Sequence, residues 1–411
     1  MRRAAKSSGR PSFFHPWDSI WLRSFLALHF LLAICGMETG ELSAWHYASR
    51  QPVIIRWSRG RIREIVSAPA GVPNSLWIAP SLFDVQVNGF AGVDFQRDDL
   101  KVEDLLSATR GLRASGCARF LLTLITDEWP KLTARLRHLA ALREQTEELK
   151  AAIVGWHIEG PFLSELPGYH GAHDPKLMLD PQPEHIRQLR DLAGDAPLMV
   201  TLAPERAGAL AAIELAAALG IVVSLGHTNA PAELLAQAQA AGATLFTHLA
   251  NGCPRELDRH DNILWRVCET PGLTPSFIPD RIHVSPAPFR VLHRALNNRV
   301  IYTTDAMAAA GAGPGTYPFG KMQLEVGLDQ IVRLPGKTNF AGSALRPVEG
   351  VFRTAEMLGC PWQEAWGRFS EKPAQLMGLS HELVVGAPAT FCVVEISPAG
   401  GLRDLQTYWN G

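Results

Sequence analysis

The sequence predicts an α/β fold, a closed (β/α)8 barrel of the TIM type, with a small β-sandwich domain formed by both terminal segments. Three observations carry this. Short, wholly apolar strand-like runs alternate with helical stretches through the middle of the chain, the pattern of a parallel sheet covered by helices. So many such units favour closure over an open doubly wound sheet. Short alternating runs with turns between them occupy the start of the chain and return at its end, as a small sheet requires.

Taken in order, the first 24 residues carry Arg2, Arg3, Lys6, Arg10 and Arg23, and an apolar run from Phe25 to Gly36 follows. The basic stretch is long for a signal peptide, His29 interrupts the apolar run, and no small-x-small cleavage site follows. The run is also short for a membrane span. The expectation is that Met37 is the working start and that residues 1–36 are an upstream, weakly signal-like extension. From about Leu42 to Pro80 the pattern is β-like, in Val53–Trp57, Arg61–Val66 and Leu76–Pro80; it returns in Leu383–Pro388 and Thr390–Glu395. Residues 37–80 and 381–411 are therefore assigned to the small β domain, and 81–380 to the barrel.

Within the barrel, Arg119–Leu124 reads as a strand and Trp129–Leu149 as a helix. Leu198–Ala203 is a strand followed by a helix from Arg206 to Leu219, closed by Gly220. Ile221–Leu225 is a strand followed by a helix from Pro231 to Ala241, closed by Gly242. Ala243–Thr247 and Arg299–Thr304 are further strands.

Composition excludes several classes of function. Lys and Arg total 39 against 40 Asp and Glu, so charge gives no case for binding nucleic acid or an anionic membrane. The six cysteines, Cys35, Cys117, Cys253, Cys268, Cys360 and Cys392, form no CxxC pair. That argues against a disulfide framework and a structural zinc knuckle, and suits a reducing, cytoplasmic setting.

Polar residues fall where chemistry would need them. The apolar run Ala152-Ile153-Val154-Gly155 leads through Trp156-His157-Ile158 into Glu159, and Gly160-Pro161 then stops regular structure. Ile221–Gly226 ends in His227, Ala243–Thr247 in His248 and Val300–Thr304 in Asp305. In a barrel all four exits lie on the C-terminal face, where active sites of this fold sit. One such residue alone would be an ordinary solvated strand end; four are not. One Glu and two His make a mixed oxygen and nitrogen ligand set that suits one Zn²⁺ with a position open for water. Asp305 is placed to take a proton from that water.

These residues and their order resemble the N-acetylglucosamine-6-phosphate deacetylase family of the amidohydrolase superfamily. The motifs are Asp84-Val85-Gln86-Val87-Asn88-Gly89, His157-Ile158-Glu159-Gly160-Pro161-Phe162-Leu163, Gly171-Ala172-His173-Asp174, Ala203-Pro204-Glu205, Ser224 to Ala230, Thr247-His248-Leu249, Thr304-Asp305-Ala306-Met307 and Ala341-Gly342-Ser343-Ala344-Leu345. The resemblance implies that Glu159, His227 and His248 bind one divalent metal. It implies that Asp305 is the general base and then the acid, and that His173 polarises the acetyl carbonyl. Many amidohydrolases carry His-x-His at the first strand; Gln86-Val87-Asn88 stands there instead. Amides are poor ligands beside imidazole, so a mononuclear site is expected.

For the substrate, the resemblance implies phosphate held by backbone at Asn251 and Gly252 and by Arg259 of a neighbouring subunit, and a sugar contact from His283. Asn251-Gly252-Cys253-Pro254 departs from the family's usual Asn-Ala-Met-Pro, and Arg259-His260-Asp261-Asn262 also departs from the common form. The expected reaction is hydrolysis of N-acetylglucosamine 6-phosphate to the amine and acetate by a homodimer. The alternatives are the galacto epimer, an unphosphorylated sugar, another N-acyl substrate, and, from a different class, a non-catalytic barrel. Gly336-Lys337-Thr338 imitates the end of a P-loop, but Ile331 stands where its first Gly is needed. Gly311-Ala312-Gly313-Pro314-Gly315 is expected to be a mobile loop at the site mouth.

Overall fold

In the computed structural model the described residues are 39–297, 299–334 and 340–409; the expectations about residues 1–36 and about Gly336-Lys337-Thr338 lie outside them. Strands β1 (Thr39–His46), β2 (Pro52–Ser58) and β3 (Arg61–Ser67) make an antiparallel meander, and β4 (Leu76–Pro80) returns parallel to β1. Eight parallel strands follow: β5 (Leu82–Val87), β6 (Cys117–Ile125), β7 (Ile153–Glu159), β8 (Leu198–Leu202), β9 (Val222–Leu225), β10 (Ala243–Phe246), β11 (Thr274–Phe277) and β12 (Ile301–Tyr302). Each pairs with the next in chain order, the arrangement of a (β/α)8 barrel. Beyond it, β13 (Gly315–Phe319), β14 (Met322–Val326) and β15 (Val332–Arg333) form a separate antiparallel sheet. Finally β16 (Phe391–Ile396) and β17 (Leu402–Tyr408) extend the first sheet to six strands in the order β17-β16-β4-β1-β2-β3. Trp57, Phe391 and Tyr408 stack at its centre.

Closure between β5 and β12 rests on side chains as much as on backbone. Asn88 N donates to the Ala306 carbonyl at 2.7 Å. The fully buried Asp84 accepts from Thr303 Oγ1 at 2.5 Å, Thr304 Oγ1 at 2.6 Å and Thr304 N at 3.0 Å. A carboxylate with this many donors satisfies polar groups that the missing strand ladder would otherwise leave orphaned.

Inside the barrel the strand period of two sorts side chains into layers. Phe83, Val85, Leu121, Val154, Met199, Leu245 and Ile301 cluster as an apolar floor. Two residues further along four of the strands stand Thr123, Thr201, Thr247 and Thr303, all buried, and the strand exits follow.

Several sequence expectations are corrected. Leu383–Pro388 is not a strand: Gly386 takes a φ of 92°, Pro388 has no N–H to give, and the segment meets the start of β3 through the isolated Arg61–Pro388 bridge and the bonds of Gly386 and Ala387 to Ile62. The helix expected over Trp129–Leu149 breaks into Trp129–Arg143 and Glu147–Ala152, because Thr146 Oγ1 caps the second by accepting from Leu149 N. The last barrel strand shrinks to Ile301–Tyr302, since Thr303 and Thr304 bond Asp84. The glycine-rich run after Asp305 leads into β13. No helix among the described residues is long and apolar enough to cross a membrane.

Candidate active site

Glu159 is the last residue of β7, while His227 and His248 each lie two residues past the ends of β9 and β10. Asp305 lies three past β12. His227, His248 and Asp305 all adopt positive φ, at 51°, 31° and 51°. Left-handed backbone on three non-glycine residues costs roughly 1–3 kcal/mol each and persists where surroundings over-determine it, typically at functional sites. Here the surroundings are visible: Ser343 N donates to the Asp305 carbonyl at 2.8 Å and Ser343 Oγ to the Thr304 carbonyl at 2.6 Å. The Ala341–Leu345 motif thus backs the turn that presents Asp305.

Three of these side chains converge. Glu159 Oε1 is 2.9 Å from His248 Nε2 and 3.3 Å from His227 Nε2, and the two Nε2 atoms are 3.2 Å apart. His227 Nδ1 lies 2.8 Å from the Tyr169 carbonyl. A carbonyl only accepts, so Nδ1 carries the proton and Nε2 turns a lone pair to the centre. Two ring nitrogens and a carboxylate oxygen then face each other with at most one proton among them. His248 Nδ1 is buried without a hydrogen-bond partner, so its proton is free to sit there and leave both Nε2 lone pairs inward. This donor set fits a divalent cation. Burial alone would raise the Glu159 carboxyl, but the His227 and His248 imidazoles facing it hold it well below the usual carboxylate range. Gly252 (φ 59°) and Gly171 make the close approach to His227 possible: a Cβ on either would lie 2.8 Å from its ring.

Asp305 is oriented by two amides. Asn88 Nδ2 donates to its Oδ1 at 2.7 Å and Gln86 Nε2 to the same atom at 3.0 Å. Oδ2 is the oxygen these amides leave unengaged. Burial, and then the charge of Glu159, push the Asp305 carboxyl up to about 8; a cation between the two would act in the opposite sense. His173 Nε2 stands 3.8 Å from Glu159 Oε2, and its Nδ1 lies 2.8 Å from Thr126 Oγ1. Burial, with His227 beside it, lowers His173 to about 3, so the ring is neutral. Thr126 Oγ1 also reaches the Glu159 carbonyl at 3.4 Å, so Thr126 ties down Nδ1 and leaves Nε2 on the Glu159 side of the ring.

These groups line a cleft of about 520 Å³ that also includes Asn251, Gly252 and His283. Asp280 Oδ2 is 2.6 Å from His283 Nδ1, which leaves His283 Nε2 as the atom available to a ligand. Burial would raise Asp280, but His283 and two backbone N–H groups hold it below the usual range. Arg259 is not brought to this cleft by its own chain; it is exposed, with Nε 3.0 Å from His260 Nε2.

Sequence reasoning missed Gln86 and Asn88 as donors, Thr126 behind His173, Asp280 behind His283, and Arg255, Phe319 and Phe340 in the cleft wall. Gln86 and Asn88 had a signal, polar residues at and just past the end of a buried strand, and it was read only as an absence of ligands.

No family model matches the chain. It is 35% identical over 332 residues to the N-acetylglucosamine-6-phosphate deacetylase of Danio rerio, spanning 77% of this chain and 80% of that one. It is 32% identical over 306 residues to the enzyme of the same name from Vibrio furnissii, spanning 74% and 75% of the two chains. Among solved structures, the N-acetyl-D-glucosamine-6-phosphate deacetylase of Mycobacterium smegmatis, a mutant in complex with N-acetyl-D-glucosamine-6-phosphate, superposes with a TM-score of 0.78 at 28% identity, covering 91% of this chain and 100% of that one. The Thermotoga maritima N-acetylglucosamine-6-phosphate deacetylase, at 21% identity and a TM-score of 0.76, covers 91% and 99% and has the same fold.

Proposed function

This chain belongs to the N-acetylglucosamine-6-phosphate deacetylase family, and from that membership we propose how its own residues carry out hydrolysis of N-acetylglucosamine 6-phosphate to glucosamine 6-phosphate and acetate. The observation that carries the reading is the convergence of Glu159, His227 and His248 beside an oriented Asp305. One divalent metal, zinc, held by Glu159 Oε1, His227 Nε2 and His248 Nε2 would polarise the acetyl carbonyl and acidify the attacking water. Asp305 accepts the proton of that water on Oδ2, with Oδ1 tied to Asn88 and Gln86, and later delivers it to the departing amine nitrogen. His173, its ring held by Thr126, meets the acetyl oxygen through Nε2 as charge builds there. His283, oriented by Asp280, meets a sugar hydroxyl through Nε2.

Phosphate is assigned to the Asn251-Gly252 backbone at the outer end of the cleft. Cys253, Pro254, Arg255, Leu257 and Leu264 also line the cleft; Arg259 of the same chain does not, and the family resemblance gives the phosphate an Arg259 from another copy in a homodimer. A cytoplasmic setting, zinc as the resident metal, and the 37–80 plus 381–411 and 81–380 division complete the proposal. The test is acetate release from N-acetylglucosamine 6-phosphate, its galacto epimer and the unphosphorylated sugar. The reading expects clear preference for the first. Equal rates on the phosphorylated and free sugars would remove the phosphate site, and activity on none would remove the substrate assignment.

A further inference from the structure

A line of buried side-chain hydrogen bonds crosses the barrel directly beneath the candidate metal ligands. Ser224 Oγ lies 2.6 Å from Thr247 Oγ1, Thr247 Oγ1 lies 2.8 Å from Thr201 Oγ1, and Thr201 Oγ1 lies 2.8 Å from His157 Nε2. The four residues are 0–3% exposed. The His157 ring also hydrogen-bonds the Val85 backbone, and Thr123 Oγ1 lies 3.4 Å from its Nδ1.

The protons on this line run one way. Thr123 Oγ1 gives its own proton to the Leu121 carbonyl at 3.5 Å, so His157 carries its proton on Nδ1, facing Thr123, and its Nε2 accepts from Thr201. Thr201, having given its hydroxyl proton, accepts from Thr247, and Thr247 accepts from Ser224. Each link polarises the next, so the line acts as a unit rather than as separate bonds.

Its members are placed on the strands that hold the ligands. His157 is two residues before Glu159 on β7, Thr247 directly precedes His248, and Ser224 is three residues before His227. Thr201 sits opposite Glu159 on β8 in the strand register. Gly226, between Ser224 and His227, closes the arrangement: a Cβ there would lie 3.0 Å from both Thr201 Cγ2 and Thr247 Cβ, so a side chain would force the His227 turn away from the line.

We infer that the Ser224–Thr247–Thr201–His157 line is a positioning device that sets the mutual distances of Glu159, His227 and His248 before a cation arrives. This rests on reading those three as the ligands. An oriented polar contact behind a ligand raises metal affinity by holding the ligand in its binding geometry. Hydroxyls suit the task here because they bond across strands whose backbone ladders cannot fix side-chain direction.

The experiment measures zinc affinity of the full chain by competition with a chromogenic chelator, alongside the melting temperature of the stripped protein. Thr247→Val keeps the shape and removes the central hydroxyl; it should weaken zinc binding about 10- to 100-fold. Thr247→Ser restores the hydroxyl and should return affinity to within about threefold of the parent. A merely structural role would lower the melting temperature of Thr247→Val and leave zinc affinity unmoved, which would overturn the inference. Should Thr247→Val not fold, Ser224→Ala, which removes only the terminal donor, decides it: weaker zinc binding supports the line and parent-like affinity overturns it. His248→Ala in the same assay separates the two levels. Loss of zinc there, with Thr247→Val unchanged, discards the positioning line alone; unchanged affinity in His248→Ala discards the ligand reading and the line together.

Discussion

Asn88 donates its side-chain amide to Asp305 Oδ1 at 2.7 Å across the seam where the barrel closes. A residue that the sequence marks only as a poor metal ligand therefore holds the proposed base. Asn88→Ala should lower kcat about 10- to 100-fold, in line with about 1.5–3 kcal/mol for a hydrogen bond to a charged group. Zinc content should not change. Steady-state kinetics beside metal analysis checks this, and loss of metal would point to Asn88 as a ligand instead.

Asp305→Asn keeps the size of the side chain and removes its basicity. It should retain zinc and lose turnover by roughly 10²–10⁴-fold. Because Asp305 is assigned both proton transfers, no external pH should restore the parent rate; recovery at high pH would assign the base elsewhere.

Arg259 is exposed and is not among the residues that line its own chain's cleft. If a second copy supplies it, Arg259→Ala should raise KM for the phosphorylated sugar and barely touch the unphosphorylated one. A kcat effect of equal size on both substrates would contradict a phosphate role.

His293 is buried, 3.1 Å from Tyr302 Oη, and is lowered to about 4 by burial and by the nearby Arg368 and Lys372 charges. Its folded value lies below the ordinary 6.5, so the unfolded chain binds the proton first as pH falls. The stability from keeping His293 neutral is complete above pH 6.5 and is lost on the way down to about 4. Between pH 6.5 and 4.5 this amounts to about 1–2 kcal/mol for this one ring. His293→Gln should accordingly narrow the drop in melting temperature over that interval; an unchanged drop would show that His293 is not a source of it.

Much of the barrel was legible because its strands are largely buried and read as mostly apolar runs ending in a polar residue. Ile153–Ile158 before Glu159 and Ala243–Thr247 before His248 are such cases. What was not legible depends on contacts between distant segments. β17, Leu-Arg-Asp-Leu-Gln-Thr-Tyr, is polar enough to pass for loop and is a strand only because β16 offers it an edge. Gln86 and Asn88 acquire their role only when β5 closes against the turn after β12. Thr201, Ser224 and Thr247 look like ordinary strand formers, and nothing local marks them as meeting in the barrel interior. The β13–β15 sheet, which brings Phe319 to the cleft, follows a glycine-rich run that reads as a loop.

The central claim is that one metal at Glu159, His227 and His248 supports deacetylation. It is tested most directly by adding zinc stepwise to chelator-stripped protein while following acetate release from N-acetylglucosamine 6-phosphate. The account predicts no release without metal, a rise that ends at one equivalent per chain, and none at any level for His248→Ala. Full activity in stripped protein, or a rise that continues to two equivalents, would contradict it.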